Sequence, residues 1–178
     1  MIYMTTNSIK TNHMLVKDYM YTKFHTATAD ETVATALKRM VEDKTNSLIV
    51  VDDQFRPIGV ISSQILIKEA VPSYLKDDPS YSQFGPEGML SQSVQVIAKK
   101  TVRDFMYTDF HSLKEDDAVI EAATYSIDAY RRVLPVVDMT GRLVGAVTRT
   151  VIKNAMYEAL FPDDETDDAQ SDPNHTRT

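Results

Sequence analysis

Two stretches decide the fold: "SLIVVDDQFRPIGVIS", Ser47–Ser62, and "VLPVVDMTGRLVGAVT", Val133–Thr148. Each begins with a short, largely β-branched apolar run of the kind that makes a buried strand. Each then passes a tight turn, "DDQFRP" or "MTGR", into a second apolar run, "IGVIS" or "VGAVT". This pattern predicts a hairpin in both places. Pro135 has no N–H to donate, which predicts a place at a strand start or a sheet edge. The stretches lie 86 positions apart, and the same offset aligns Val16–Ile67 with Val102–Lys153 without a gap. Identical pairs include Met20/Met106, Tyr21/Tyr107, Phe24/Phe110, His25/His111, Asp52/Asp138, Arg56/Arg142 and Gly59/Gly145. Two copies at so long a period mean a duplicated small domain rather than a solenoid.

Working outward, a helix precedes each hairpin. In the first repeat Val33, Ala36, Leu37, Met40 and Val41 recur at helical spacing and predict one buried face. "TADE" predicts a capping box, with Thr28 as the cap and Glu31 reaching back. The second repeat has Lys114 at that place, a weaker cap, although Glu115, Asp116 and Asp117 suit the positive helix end. After the hairpins, Ser62 and Thr148 open a further helix. In the second repeat Val151, Ile152, Ala155, Met156, Ala159 and Leu160 predict its buried stripe. Ahead of the first helix, "MYTKFHT" (Met20–Thr26) and "MYTDFHS" (Met106–Ser112) predict short extended segments around Phe24 and Phe110. The order is strand–helix–strand–strand–helix, twice. This is an α/β fold of two pseudo-symmetric domains, each with a small mixed sheet. Residues 1–15 read as an N-terminal extension, 16–70 as the first domain and 71–101 as a helical and loop connection in which "SQSVQVIAKK" is helical. Residues 102–161 read as the second domain and 162–178 as a disordered acidic tail.

Composition narrows the function. The chain has no cysteine, so thiolate metal sites, disulfides and thiol nucleophiles are excluded. The formal charge of −7 resides mostly in the tail, whose six acids and one base leave 18 bases against 20 acids elsewhere. Without a clustered basic face, affinity for nucleic acid is not expected. No apolar run reaches the roughly 20 residues of a membrane helix, and the N-terminus lacks a signal-peptide core. A soluble cytoplasmic protein is expected. Phosphate-loop, dinucleotide and zinc-protease motifs are absent, as is a nucleophile elbow. A metal site would require His25 and His111 to meet through the pseudo-symmetry, which is not expected where four ligands are the rule. Neither an enzyme nor a required cofactor is expected.

"VRDFMYTDF", "DDAVIEAA" and "RRVLPVVDMTGRLVGAVTRTVI", in that order, resemble a CBS domain, the cystathionine β-synthase type of regulatory domain. "VKDYMYTKF", "DETVATAL" and "SLIVVDDQFRPIGVISSQIL" resemble a second. The resemblance implies one pseudo-symmetric Bateman module, disc-like homodimers, and clefts between the domains that bind adenine nucleotides. The nucleotide-binding positions it implies are Thr22, Phe24, Ser47, Leu48 and Ser62 in the first repeat. In the second they are Thr108, Phe110, Arg132, Val133, Leu134, Pro135, Thr148 and Arg149. Independently of the family, Ser62 and Thr148 stand where free N–H groups and the helix dipole favour an anion; an ordinary N-cap is the plainer role. Arg131, Arg132 and Arg149 make the second repeat the more basic, against Asn46, Ser47 and Ser63 in the first. If one cleft alone binds an anion, that of the second repeat is expected to.

The family's segment runs Gly-apolar-apolar-Thr/Ser-x-x-Asp, its acid holding the ribose. Here it reads "GVISSQI" and "GAVTRTV", with Ile65 and Val151 at the acid position. Loss of a charge-assisted hydrogen bond of about 1.5–3 kcal/mol weakens such a pose by about ten- to a hundred-fold. The expected function is a stand-alone regulatory module. It would sense AMP, ADP, ATP, cyclic di-AMP or S-adenosylmethionine and signal to a protein partner. The alternative is a ligand-free dimerisation or interaction scaffold with degenerate nucleotide sites.

Overall fold

The computed structural model describes residues 14–78, 80, 83, 87–127 and 132–162. The acidic tail beyond residue 162, most of the N-terminal extension and Arg131 lie outside them. In chain order the elements are α1 (Val16–Tyr19), β1 (Thr26–Thr28), α2 (Val33–Glu42), β2 (Ser47–Val51), β3 (Pro57–Ser62) and α3 (Ser63–Ala70). The connection holds α4 (Ser73–Asp77) and α5 (Met89–Ala98), followed by a 3-10 turn at Val102–Asp104. The second repeat has β4 (Leu113–Lys114), α6 (Val119–Tyr125), β5 (Val133–Val137), β6 (Leu143–Thr148) and α7 (Arg149–Leu160). Each repeat forms a three-stranded mixed sheet, β1-β2-β3 and β4-β5-β6, parallel across the first pair and antiparallel across the hairpin.

The hairpins agree down to their irregularity. Val50 faces Gly59 and Val51 faces Pro57, skipping Ile58; Val136 faces Gly145 and Val137 faces Leu143, skipping Val144. One extra residue bends each strand at the same place. Each turn is closed by its aspartate. Asp52 Oδ1 accepts from the N–H groups of Gln54 and Arg56, and Asp138 Oδ1 from Thr140 Oγ1 and the N–H groups of Thr140 and Arg142. The Thr140 hydroxyl, followed by the Arg142 N–H, holds the Asp138 carboxyl below its usual range.

Pro135 lies in the middle of β5, not at its start. The equivalent Ile49 donates its N–H to His25 O at 3.0 Å and so opens the β1 pairing at Thr26. Proline cannot make that bond. The β4 pairing accordingly begins one step later, at Leu113 opposite Val136, and β4 has two residues where β1 has three.

The lead-in segments differ from the expectation. The strands expected around Phe24 and Phe110 start later, at Thr26 and Leu113, and Tyr21 and Tyr107 in the lead-in segments pair with the opposite repeat. Tyr21 exchanges both backbone hydrogen bonds with Ala146 of β6 (2.9 Å each), and Tyr107 does the same with Val60 of β3 (2.8 and 2.9 Å). Further upstream, Val16 and Lys17 donate to Asp117 O and Glu115 O, while Val102 and Arg103 donate to Glu31 O and Ala29 O. Val16 is sealed in the core of the second repeat and Val102 in that of the first, both at 0% exposure. Each repeat thus completes its partner's core.

Three helical details are also corrected. Thr32, not Thr28, caps α2, accepting from Thr35 N–H at 3.2 Å. Glu31 still reaches back to Thr28 N–H, and it is gripped by both guanidinium nitrogens of Arg39. Val41 is 71% exposed because it lies on the flank of the stripe centred on Val33, Ala36 and Met40. In α7 the stripe Val151, Ile152 and Ala155 is buried, but Met156, Ala159 and Leu160 drift off the sheet and are exposed.

Candidate functional site

Strand alternation gives each sheet two apolar faces. Leu48 and Val50 turn into the helix-covered core of the first repeat, and Leu134 and Val136 into that of the second. Their neighbours point the other way. Ile49, Val51 and Val60 meet Val133, Leu143 and Ala146 in a third cluster that spans both sheets. Phe24 and Phe110, half-buried, lie against this shared cluster. The alternation then carries the end of each sheet to the same face. Ser62 follows Val60 by two residues and pairs with Ser47, and Thr148 follows Ala146 by two and pairs with Val133. The structure therefore gathers Phe24, Ser47, Ser62, Phe110, Val133 and Thr148 on the inter-sheet side.

The two N-caps are not equivalent. Ser62 Oγ accepts from Ile65 N–H at 3.4 Å and is satisfied within α3. Thr148 caps α7 without any side-chain hydrogen bond. Its Oγ1 is sealed from solvent and has no partner, the one buried side-chain polar atom in that condition among the described residues. Such a group usually finds a partner, since leaving it unmade costs about 1–3 kcal/mol.

Other expected positions lie elsewhere. The side chains of Leu48 and Leu134 belong to the repeat cores and not to the inter-sheet cluster. Pro135 is fully buried. Thr22, Thr108 and Arg132 are exposed. Arg149 is drawn toward α6, donating from Nε and Nη2 to Ser126 O at 3.2 and 2.9 Å. At the family's acid positions, Ile65 is half-buried while Val151, 2% exposed, is a member of the second repeat's core.

His25 and His111 are held within their own repeats. His25 Nδ1 lies 2.9 Å from Asp43 Oδ2; His111 Nε2 lies 3.2 Å from Glu121 Oε1, with its ring stacked on Tyr125 at 3.7 Å. Among the described residues no group of His, Asp and Glu is placed to hold a metal ion, and no helix is long and apolar enough to cross a membrane.

Sequence reasoning missed the apolar contact between the two sheets: Ile49, Val51, Val60, Leu143 and Ala146. Its signal was available, because in a strand with two buried faces the alternate residues must line a second contact.

Comparison with known proteins agrees with this architecture. The family model for the CBS domain matches residues 16–71 and 102–158. The CBS domain-containing protein CBSX2, chloroplastic, of Arabidopsis thaliana is 27% identical over 150 residues, covering 79% of this chain. The chain spans 63% of that relative's length. The crystal structure of the CBS-pair protein CBSX2 from Arabidopsis thaliana superposes with a TM-score of 0.68 at 25% identity, over 83% of this chain and 96% of that one. A structure of CBSX2 in complex with AMP gives 0.61 at 25% identity, over 83% and 98% of the two chains. With the duplication and the paired mixed sheets, these likenesses show that the chain belongs to the CBS domain family and carries two such domains in tandem.

Proposed function

We propose that the inter-sheet cleft takes an adenine nucleotide or related adenosyl ligand, and that occupancy is signalled to a partner protein. The reading is carried by Thr148: a hydroxyl without a partner at the N-terminus of a twelve-residue helix, which a turn of its side chain would present to a ligand. That end of α7 favours a phosphate, and the half-buried phenylalanines beside the apolar cluster suit a base. The AMP complex of CBSX2 supports the ligand class. Both repeats line the cleft, so a ligand bridging them favours one relative placement of the sheets over another. Such differential affinity is what a signal requires. The ligand-free scaffold is the second reading; it is favoured by Val151, whose burial leaves no carboxylate for a ribose.

Calorimetric titration with AMP, ADP, ATP, cyclic di-AMP and S-adenosylmethionine separates the two. At least one is expected to bind with Kd of about 10 μM to 1 mM, or −7 to −4 kcal/mol. A stable protein that gives no heat with any of them at millimolar concentration would return the scaffold instead. Thr148→Val sharpens the test. It removes an unsatisfied hydroxyl, so the melting temperature is expected to hold or rise. It also removes a phosphate contact, so affinity is expected to fall about ten-fold. A variant that loses stability and keeps its affinity would mean that Thr148 is only a cap.

A further inference from the structure

Phe55 and Gly141 occupy the same position of the two repeats, one in each hairpin turn. Both backbones are left-handed there, with φ of 62° and 83°. Glycine adopts that conformation freely, whereas a phenylalanine does so against its own Cβ. The first repeat nevertheless keeps the ring, and the ring has a place. It lies against Phe24 with centroids 6.4 Å apart and planes at 40°, within the range of aromatic contact. The Phe55 carbonyl accepts from Leu143 N–H at 2.9 Å, and Leu143 is part of the inter-sheet cluster. Phe55 is thereby fixed beside the inter-sheet cluster. The second repeat has nothing comparable. Gly141 carries no side chain, and Phe110 has no ring contact among the described residues. The place a Cβ on Gly141 would take is approached only by Arg56, whose Nε is 3.9 Å away.

We propose that Phe55 is a built-in plug. It covers the Phe24 half of the cleft with the chain's own ring and leaves Phe110, whose repeat has Gly141 where the first has Phe55, as the stacking face for a planar, anionic ligand. The inference rests on the nucleotide-binding reading and makes it asymmetric, with one ligand per chain. It also gives a role to a phenylalanine that stands where the backbone favours glycine.

The chain has no tryptophan, so Phe110→Trp and Phe24→Trp each introduce a single fluorophore at one of the two faces. Both variants, and the unmodified chain, are titrated with AMP by fluorescence and calorimetry. Quenching of the F110W emission, an unchanged F24W emission and a stoichiometry of one are expected. Adding Phe55→Gly to F24W is expected to make that emission quench as well, and F55G alone to raise the stoichiometry from one toward two. Quenching of F24W with Phe55 in place overturns the plug. So does a stoichiometry of two in the unmodified chain, or an F24W/F55G double variant that stays unquenched while F110W responds. Heat without quenching at either tryptophan overturns it too, while leaving nucleotide binding standing. No heat from either the unmodified chain or F55G overturns the binding reading itself, and the plug with it. If F110W does not fold, Phe110→Leu replaces it in calorimetry; retained AMP affinity then overturns the proposal.

Discussion

Gly145→Val is expected to destabilise the protein by about 3 kcal/mol or more, the upper range for over-filling a closed contact. In a chain of this length that lowers the melting temperature by roughly 6–12 °C. The space is already taken. A Cβ on Gly145 would stand 2.5 Å from Met20 Sδ and 3.2 Å from Tyr21 O, and one on Gly59 would meet Met106 Sδ at 3.0 Å and Tyr107 O at 3.2 Å. The methionine sulfur can move; the tyrosine carbonyl cannot, because it accepts from Ala146 N–H in the exchanged pairing. A side chain at this glycine therefore pushes the lead-in segment off the opposite sheet and strains the seating of Val16 in the second core. Met20→Ala in the G145V background is expected to recover part of the loss, and thermal unfolding of the four chains of that cycle measures the coupling. Wild-type melting of G145V would show that the crossing is not tight. Gly59→Val probes the equivalent crossing at the other sheet.

The same contact marks the limit of what the sequence discloses. Duplication, hairpins and the strand–helix order are local patterns, and they read correctly from periodicity and turn residues. Which sheet Tyr21 and Tyr107 join is a long-range matter. A short extended segment pairs equally well with either edge in the absence of its partners. The shared Met-Tyr and the shared glycine are two halves of one contact, but neither names the other. The site divides in the same way. Ser62 and Thr148 are legible as helix starts, and Phe24 and Phe110 as repeated aromatics. That Ser62 is satisfied within its helix while Thr148 is not depends on small differences of local geometry. The exposure of Val41 reflects its place on the flank of the α2 stripe, and that of Met156 and Leu160 a helix that outruns the sheet beneath it; a helical period specifies a face, not how wide it is or how far its neighbour extends.

Val151→Asp, which restores the family's acid, is expected to cost at least about 3 kcal/mol at neutral pH and to tighten no nucleotide. The position is favourable in one respect. It lies in the first turn of α7, where a carboxylate gains about 0.3–1 kcal/mol from the helix dipole. Against this stands its burial. Val151 is 2% exposed, in one core with Val16, Leu113, Leu134, Val136 and Val147. Removing the valine side chain from that core loses about 1–3 kcal/mol, and desolvating an ionised carboxylate there costs several more unless it takes up a proton. Burial therefore outweighs the helix dipole. It also sets a pH dependence. Burial raises the aspartate's folded-state pKa above its unfolded value, so the folded form holds the proton more tightly. The penalty grows as pH rises through the unfolded pKa and is relieved in acid. The melting difference between V151D and the unmodified chain should be larger at pH 7 than at pH 4. Ile65→Asp is expected to be milder, since that position is half-buried and its N–H already bonds Ser62 Oγ. A V151D protein that melts like the unmodified chain and binds AMP ten-fold more tightly would show that residue 151 turns into the cleft and that the acid alone was lacking. The expected result places the departure from the family pattern in the architecture of the second core, with any ligand held by Thr148 and Phe110 without a ribose carboxylate.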